Sequence, residues 1–465
     1  MFSPSRRLAQ QACRLTSGGL VRTSQPSCCA LSQAALSKPY IARTIPSRQS
    51  SRAAPYVPTR AFASKAGEDL ARTPLYDLHL EHGAKMVPFG GFSMPVQYSD
   101  LGVGESHKWT REKASLFDVS HMVQYHIHGP GATAFLETLT PSDLASLPIH
   151  QSTLSALLHP ETGGICDDTI ITRIADDKFY MVLNAGCRDK DYAFLQLNLD
   201  AWNSGNQPRV DLTQLEYQGL IALQGPLAAE ILESVLVEPE QVKLKDLYFG
   251  SSKYVTLALP SGASARVLVS RGGYTGEDGF EISVEPEDAR EVTAQLLQQA
   301  GPEKLRLAGL GARDSLRLEA GMCLYGHDLD DSTTPPEAGL GWIVAKSRRE
   351  KGGFNGAEVV LPQLKPKSKG GKGVERRRVG LVVEGAPARE GAVVVGEGDE
   401  EVGKITSGCP SPTLGKNIAM GYVKDGLHKS GTELGVLVRG KRRKAVVTKM
   451  PFVPSRYWKG GASPA

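Results

Sequence analysis

The spacing of apolar residues changes character once along this chain, and that change restricts the folds open to it. Before residue 346, Ala132, Phe135, Leu136 and Leu139 recur at the period of a helix face, as do Ala228, Ile231, Leu232 and Val235. Val123, Tyr125 and Ile127 alternate as a strand does. Near the start, Thr73 suits a helix cap, Pro74 the first helical position and Gly83 the stop. From 379 to 453 only short Val-containing runs remain, separated by Gly, Pro and Asn, the pattern of a small all-β barrel. Residues 346–378 lie between, rich in Lys, Arg, Gly and Pro and nearly without apolar residues outside 359–364; this stretch reads as a flexible, solvated linker. The fold class is therefore α+β followed by a β-barrel, and 465 residues suffice for two or three domains with cores of their own.

The first 67 residues stand outside this scheme. They contain ten Lys or Arg, many Ser and Ala, and no Asp or Glu, the composition of a mitochondrial transit peptide. A secretory signal would require a compact apolar stretch, and a disordered basic tail is the plainer alternative. Taking 1–65 as the targeting segment, with the cut between 60 and 65, leaves 44 basic residues against 50 acidic ones. The remaining chain is mildly acidic, which gives no support for nucleic-acid binding. No uninterrupted apolar run is long enough to span a membrane. The cysteines outside this segment, Cys166, Cys187, Cys323 and Cys409, form no CxxC pair and have no His at metal-ligand spacing, as expected of single thiols in a reducing compartment such as the mitochondrial matrix. No metal is assigned.

Residues 272–282, Gly-Gly-Tyr-Thr-Gly-Glu-Asp-Gly-Phe-Glu-Ile, combine turn glycines with three carboxylates before a strand in which Phe280 and Ile282 share one face and Glu281 takes the other. A binding loop and an ordinary hairpin with solvated acids both fit. At 161–172 a Gly-rich turn leads into a β-branched strand that begins with Asp167 and Asp168, which alternation sends to opposite faces, so they are not a close carboxylate dyad. Two solvated strand-edge acids fit equally. Tyr180, Val182 and Asn184 would share a face, as pocket wall or as core tyrosine and turn asparagine. Asp118, Ser120 and His121 are too close in one extended segment to form a triad, so His121 and Met122 read as pocket wall or core. Residues 309–321 should be a helix with Arg313 and Arg317 one turn apart, facing an anion or paired at the surface with Asp314 and Glu319.

Taken in order, nine motifs resemble the aminomethyltransferase family of the glycine cleavage system, the T-proteins. They are RTPLYDLHLEHGAKMVPFGGFSMPVQY, SLFDVSHM, TGGICDDTI, NAGC, ALQGP, GYTGEDGFEI, ARDSLRLEAGMCLYGHDLD, TSGCPSPTLGKNIAMGYV and KMPFVP, and the likeness spans residues 72–458. The resemblance implies a three-domain, clover-like fold: two interleaved α+β domains within 66–345 around a folate channel, a linker at 346–378 and a barrel at 379–460. It implies transfer of a methylene from the aminomethylated dihydrolipoyl arm of H-protein to tetrahydrofolate, with ammonia released, by a monomer that meets H-protein transiently in the glycine cleavage complex. Asp168 matches the family's catalytic acid. Glu281 matches its pterin-reading glutamate, Arg313 and Tyr457 match ligand-contacting positions, and Tyr180, Asn184 and Met122 match residues near the folate. The Lys-rich insertion at 365–373 departs from the family's shorter linker, and Cys166 replaces a larger aliphatic residue.

Two other activities fit a folate fold of this kind. A demethylase acting on sarcosine or dimethylglycine normally sits beside a flavin domain, and no GxGxxG stretch precedes a helix here. A folate-binding assembly factor for iron–sulfur proteins would carry a cysteine motif near Tyr274, where this chain has Arg-Gly-Gly-Tyr-Thr-Gly-Glu.

Overall fold

The computed structural model describes residues 70–461; the basic segment assigned to targeting, 1–65, lies outside the described residues. Alternation in strand Gly279–Val284 builds the first layer. Phe280 and Ile282 are fully buried, and they pack beneath Ile231 and Leu232 of helix Ala228–Glu233 and Val292 and Leu296 of helix Pro286–Ala300. Each such side chain contributes about 1.5–3 kcal/mol by leaving water. The strand is third in a sheet ordered Ser252–Ala258, Ser264–Arg271, Gly279–Val284, Gly219–Gln224, Ala114–Asp118 and Leu305–Leu307, antiparallel except for the last pair.

A second, wholly antiparallel sheet runs in the order Ser152–Leu158, Ile165–Ala175, Lys178–Leu183, Val123–His128 and Asp211–Gln214. One face is covered by Phe135, Leu136 and Leu139 of helix Ala132–Leu139 and by Leu195 and Leu199 of helix Arg188–Asn203. Because period 2 governs both sheets, their remaining faces carry the other residue sets, and these meet: Phe117, Leu220, Ala222 and Leu268 of the first pack with Tyr180 and Val182 of the second. Glu281 lies opposite Ala222, and Asp168 is two residues from Ile170, which pairs with Val182. Both carboxylates therefore belong to the faces that meet at this seam.

Helix Leu310–Glu319 wedges against the seam through Ala312 and Leu316, while Leu318 turns to the barrel residues Cys409, Ile418 and Met420. The barrel is closed by six strands in the order Arg376–Val383, Lys416–Lys424, Glu401–Ser411, Val393–Val395, Glu433–Val438 and Lys441–Thr448.

Three local expectations change. Residues 346–378 are not a flexible linker throughout: Lys346–Lys351 and Ala357–Leu364 are helices, and Phe354, Ala357 and Val360 enter a core with Leu158, Ile165 and Leu340. The longest fully exposed run within it is 365–370. The first helix begins at Tyr76, and Thr73 does not cap it with its side chain; its hydroxyl donates instead to the buried Asp118 carboxylate at 2.7 Å. That carboxylate also faces His79 Nε2 at 2.8 Å and accepts the Ser120 N–H at 2.9 Å, and these bonds overcome burial to hold its pKa low. A buried charge has the stronger claim on a hydroxyl. Finally, the barrel ends at Thr448, and the following residues return to the first sheet: the Phe452 N–H donates to the Glu319 carbonyl and the Arg456 N–H to the Gly276 carbonyl.

Candidate active site

Asp167 and Asp168 part as alternation requires. Asp167 is fully buried among the helix-covered side of the second sheet, and Asp168 is partly exposed on the seam side. Asn184, just past the end of Lys178–Leu183, ties them together. Its backbone N–H donates to Asp167 Oδ2 at 2.8 Å, while its side-chain amide donates to Asp167 Oδ1 and to Asp168 Oδ1, each at 2.9 Å. Burial, followed by the negative charge of Asp167, raises the Asp168 carboxyl to about 7, with the Asn184 bond opposing. A carboxyl poised there exchanges protons near neutral pH.

Across the seam, burial also raises the pKa of Glu281, and the Arg313 guanidinium opposes it. Arg313 stands 4.8 Å over the Tyr274 ring, and its Nη1, shielded from solvent, has no hydrogen-bond partner. Burial raises the pKa of the Tyr274 hydroxyl, which feels the charges of Arg317, Asp168, Arg313 and Asp328 and is fixed by donating to the Cys323 carbonyl. Tyr180 donates to Gln124 Oε1 at 2.7 Å, and Ser283, two residues beyond Glu281, donates to the same oxygen at 2.7 Å. That shared acceptor joins the sheets, so Tyr180 serves as wall with its hydroxyl already committed. Met122 packs in the same apolar seam. His121 is buried beside it and pushed down to about 4 by desolvation, hence neutral.

The three acids of residues 272–282 have separate fates. Asp278 meets Arg271 in a two-pronged pair, Nε to Oδ1 at 3.0 Å and Nη2 to Oδ2 at 2.5 Å. Glu277 is buried against Arg111 at 2.9 Å, and only Glu281 faces the seam. Arg111 also donates to the Thr275 carbonyl at 2.7 Å and to Glu319 at 2.8 Å, clamping the loop to the long helix. At Gly276 the chain takes φ +80°, a region side chains avoid, and an added Cβ would stand 3.1 Å from that of Ala320. Tyr457 comes from the segment after the barrel: its ring stacks on Phe249 at 4.2 Å, beside the charges of Arg111 and Glu277.

Of the seven residues singled out from the sequence, six thus converge on the seam, and Tyr457 follows Arg456, whose N–H donates to the Gly276 carbonyl. The paired arginines separate: Arg313 faces the site, whereas Arg317 is buried on Asp328 at 2.7 Å and Ser407 at 2.9 Å. Glu319 is no surface partner for either; it is buried, and bonds from His107, Ser411 and Arg111 overcome desolvation to hold it down at about 2. Arg111, Tyr274 and Asp191 escaped the sequence reading because their partners are distant in the chain. Among the described residues, two groups of His, Cys and Asp side chains gather within 4.8 Å, His159 with Cys166 and Asp331, and Asp167 with Cys187 and Asp191. Neither suits a cation as it stands. Lys190 already holds Asp331 at 3.1 Å, Asn184 fills both oxygens of Asp167, and burial keeps the thiols of Cys166 and Cys187 protonated.

One mixed and one antiparallel sheet meet at a seam that carries two carboxyls, with a closed barrel behind, and comparison with known proteins gives this arrangement its class. Residues 75–348 match the GCVT N-terminal domain and residues 376–454 the glycine cleavage T-protein C-terminal barrel domain. The chain belongs to the glycine cleavage T-protein family, and its activity is aminomethyl transfer. It is 49% identical over 400 residues to a probable mitochondrial aminomethyltransferase of Schizosaccharomyces pombe, covering 86% of this chain and 97% of that protein. With the mitochondrial aminomethyltransferase of Mus musculus it shares 46% over 408 residues, 88% of this chain and 96% of the other. The crystal structure of glycine cleavage system aminomethyltransferase T from Bartonella henselae superposes with a TM-score of 0.75 at 40% identity, over 84% of this chain and all of that one. The relatives' names accord with a mitochondrial protein, and no helix among the described residues is long and apolar enough to cross a membrane.

Proposed function

We propose that this chain moves the methylene of an aminomethyl group from the dihydrolipoyl arm of H-protein to tetrahydrofolate. The carbon loses its bonds to sulfur and to the amine nitrogen and gains bonds to folate nitrogens 5 and 10. The two folate N–H protons leave with ammonia and the freed thiol, and the folate product is 5,10-methylenetetrahydrofolate. The observation that carries the reading is Asp168, a carboxyl raised to about 7 on the sheet face that looks toward Glu281 and Arg313. Departure of ammonia develops positive charge on the methylene while nitrogen 5 sheds a proton as it attacks. Asp168, ionised, stabilises that charge and accepts that proton.

Glu281 reads the pterin, since a carboxylate accepts two parallel bonds from its amino and ring N–H groups. Arg313 balances Glu281 and offers an unused donor to the ligand. Asn184 orients Asp168, Tyr180 and Met122 line the ring, and Tyr457 contacts the ligand from the C-terminal segment. The working unit is a matrix monomer within the glycine cleavage complex, without nucleic acid, membrane or metal, preceded by a targeting segment at 1–65 and built from the α+β region and the barrel. Both folate alternatives lose ground to relatives named as aminomethyltransferases.

The test is turnover by the whole protein, scored as ammonia and methylenetetrahydrofolate, with aminomethylated H-protein and with sarcosine as donors. Turnover with H-protein and none with sarcosine is expected. The opposite preference makes the chain a demethylase, and folate binding without turnover of either donor makes it a folate-binding assembly factor.

A further inference from the structure

Behind Asp168, on the helix-covered side of the sheet, lies a polar group that the chemistry above does not use. Asp191, on the first turn of helix Arg188–Asn203, is 1% exposed, and its carboxyl oxygen lies within 4.8 Å of Asp167 and of the Cys187 sulfur. Asp167 is also fully buried. Two carboxylates that close in an apolar interior cannot both ionise, so the pair holds a proton. Which of them carries it follows from their partners. Both oxygens of Asp167 already accept N–H groups of Asn184, at 2.8 and 2.9 Å, and such bonds favour its charged form. Asp191 has only the Cys166 thiol, 3.8 Å from Oδ1, and its Oδ2 has no partner that an ionised carboxylate could use. The nearest cation, Lys190, spends its ammonium on Asp331 and on the Tyr325 hydroxyl.

We propose that Asp191 is a neutral carboxylic acid whose proton is donated to Asp167, and that this bond is the anchor of a relay, Asp191 to Asp167 to Asn184, that positions Asp168. The same Asn184 amide that Asp167 accepts reaches Asp168 Oδ1 at 2.9 Å, so a shift of Asp167 is passed to the reacting carboxyl. Burial and the charge of Asp167 drive the Asp191 pKa well above its usual value, and the weak thiol bond and Lys190 do not offset them. The other titratable groups facing the relay are Cys166, Cys187, Tyr125 and Tyr325, all raised by burial and neutral near pH 7. On the Asp168 side the further charge is Asp328, itself paired with Arg317. Asp191 is thus a positioning residue, and its role rests on Asp168 being the catalytic acid.

The sign of the effect is fixed by where the proton goes. Asp191→Ala removes the carboxyl and its proton together and leaves Asp167 without that donor. A lost bond to the charged form raises the Asp167 pKa further, in the same direction as burial, so Asp167 takes a proton from solvent more readily, holds Asn184 less firmly and raises Asp168 less. The acid limb of kcat against pH should then move below the wild-type value near 7, with kcat down by about tenfold to a hundredfold. Asp191→Asn restores a donor to Asp167 and should return the limb to its wild-type position and most of kcat with it. Independently of activity or of how well the alanine variant folds, the infrared difference spectrum of wild type minus Asp191→Asn at pH 8 should contain a protonated-carboxyl C=O band. Absence of that band, or an acid limb unmoved in Asp191→Ala, overturns the proposal. An Asp168→Asn protein that kept full turnover while the band was still present would instead overturn the assignment of Asp168 and leave the protonated Asp191 standing.

Discussion

At the scale of single residues, the site places two carboxyls in different surroundings and so gives them different work. Burial raises the pKa of Glu281 and the Arg313 cation beside it opposes, an environment for the pterin-reading role proposed above; Asp168 is raised by burial and by the like charge of Asp167 behind it, to about 7. Glu281→Ala removes a charge-assisted pair of bonds, so tetrahydrofolate affinity measured by calorimetry should fall by about tenfold to a hundredfold, and unchanged affinity would remove Glu281 from recognition. Asp168 also bears on stability. Its folded pKa is raised, so the folded state binds the proton more tightly than the unfolded chain does, and ionisation costs stability that is lost in full above about pH 7 and recovered as pH falls toward the unfolded value of about 4. Asp168→Asn keeps the acceptor for Asn184 without the charge. Its melting temperature should exceed that of the wild type by about 1 °C at pH 8 for each kcal/mol relieved, with the difference vanishing near pH 4.

At the scale of elements, the loop at 272–278 holds its shape through buried charge. Arg111 meets Glu277 and Glu319 from a helix more than 150 residues away, and it is 8% exposed. Arg111→Ala would take the nearest cation from buried Glu277 and Glu319, leaving Glu277 only Arg456 at 3.5 Å, and breaking a buried pair in this way costs about 3–5 kcal/mol, read as a lowered denaturation midpoint in urea. Local pattern made the strands and helices legible: Phe280 and Ile282 do face the core with Glu281 opposite, and Asp167 and Asp168 do part. Their neighbours were not legible. Nothing local in 272–282 distinguishes three carboxylates whose partners, Arg111, Arg271 and Arg313, lie on three different elements. Asp191 did leave a local trace, one helical turn after Cys187 in a segment opening just beyond Asn184. The solvated look of 346–378 misled because composition averages over a stretch in which Ala357 and Val360 bury one side of a helix and Phe354, just before it, enters the same core.

At the scale of the whole molecule, the site is assembled from parts that could not build it separately. The two sheets share Gln124 as a common acceptor, helix Leu310–Glu319 sends Arg313 to the seam and Leu318 to the barrel, and the residues after the barrel return to Gly276. Glu281 and Asp168, proposed above for recognition and proton transfer, are thereby set on facing sheets, with the barrel bracing the helix that carries Arg313. The measurement that bears most directly on this arrangement is turnover of the Asp168→Asn protein with aminomethylated H-protein and tetrahydrofolate, alongside its circular dichroism and folate affinity. The variant should fold, bind folate within about twofold of the wild type, and lose turnover by about a hundredfold or more. Wild-type turnover in a folded Asp168→Asn protein would contradict the account.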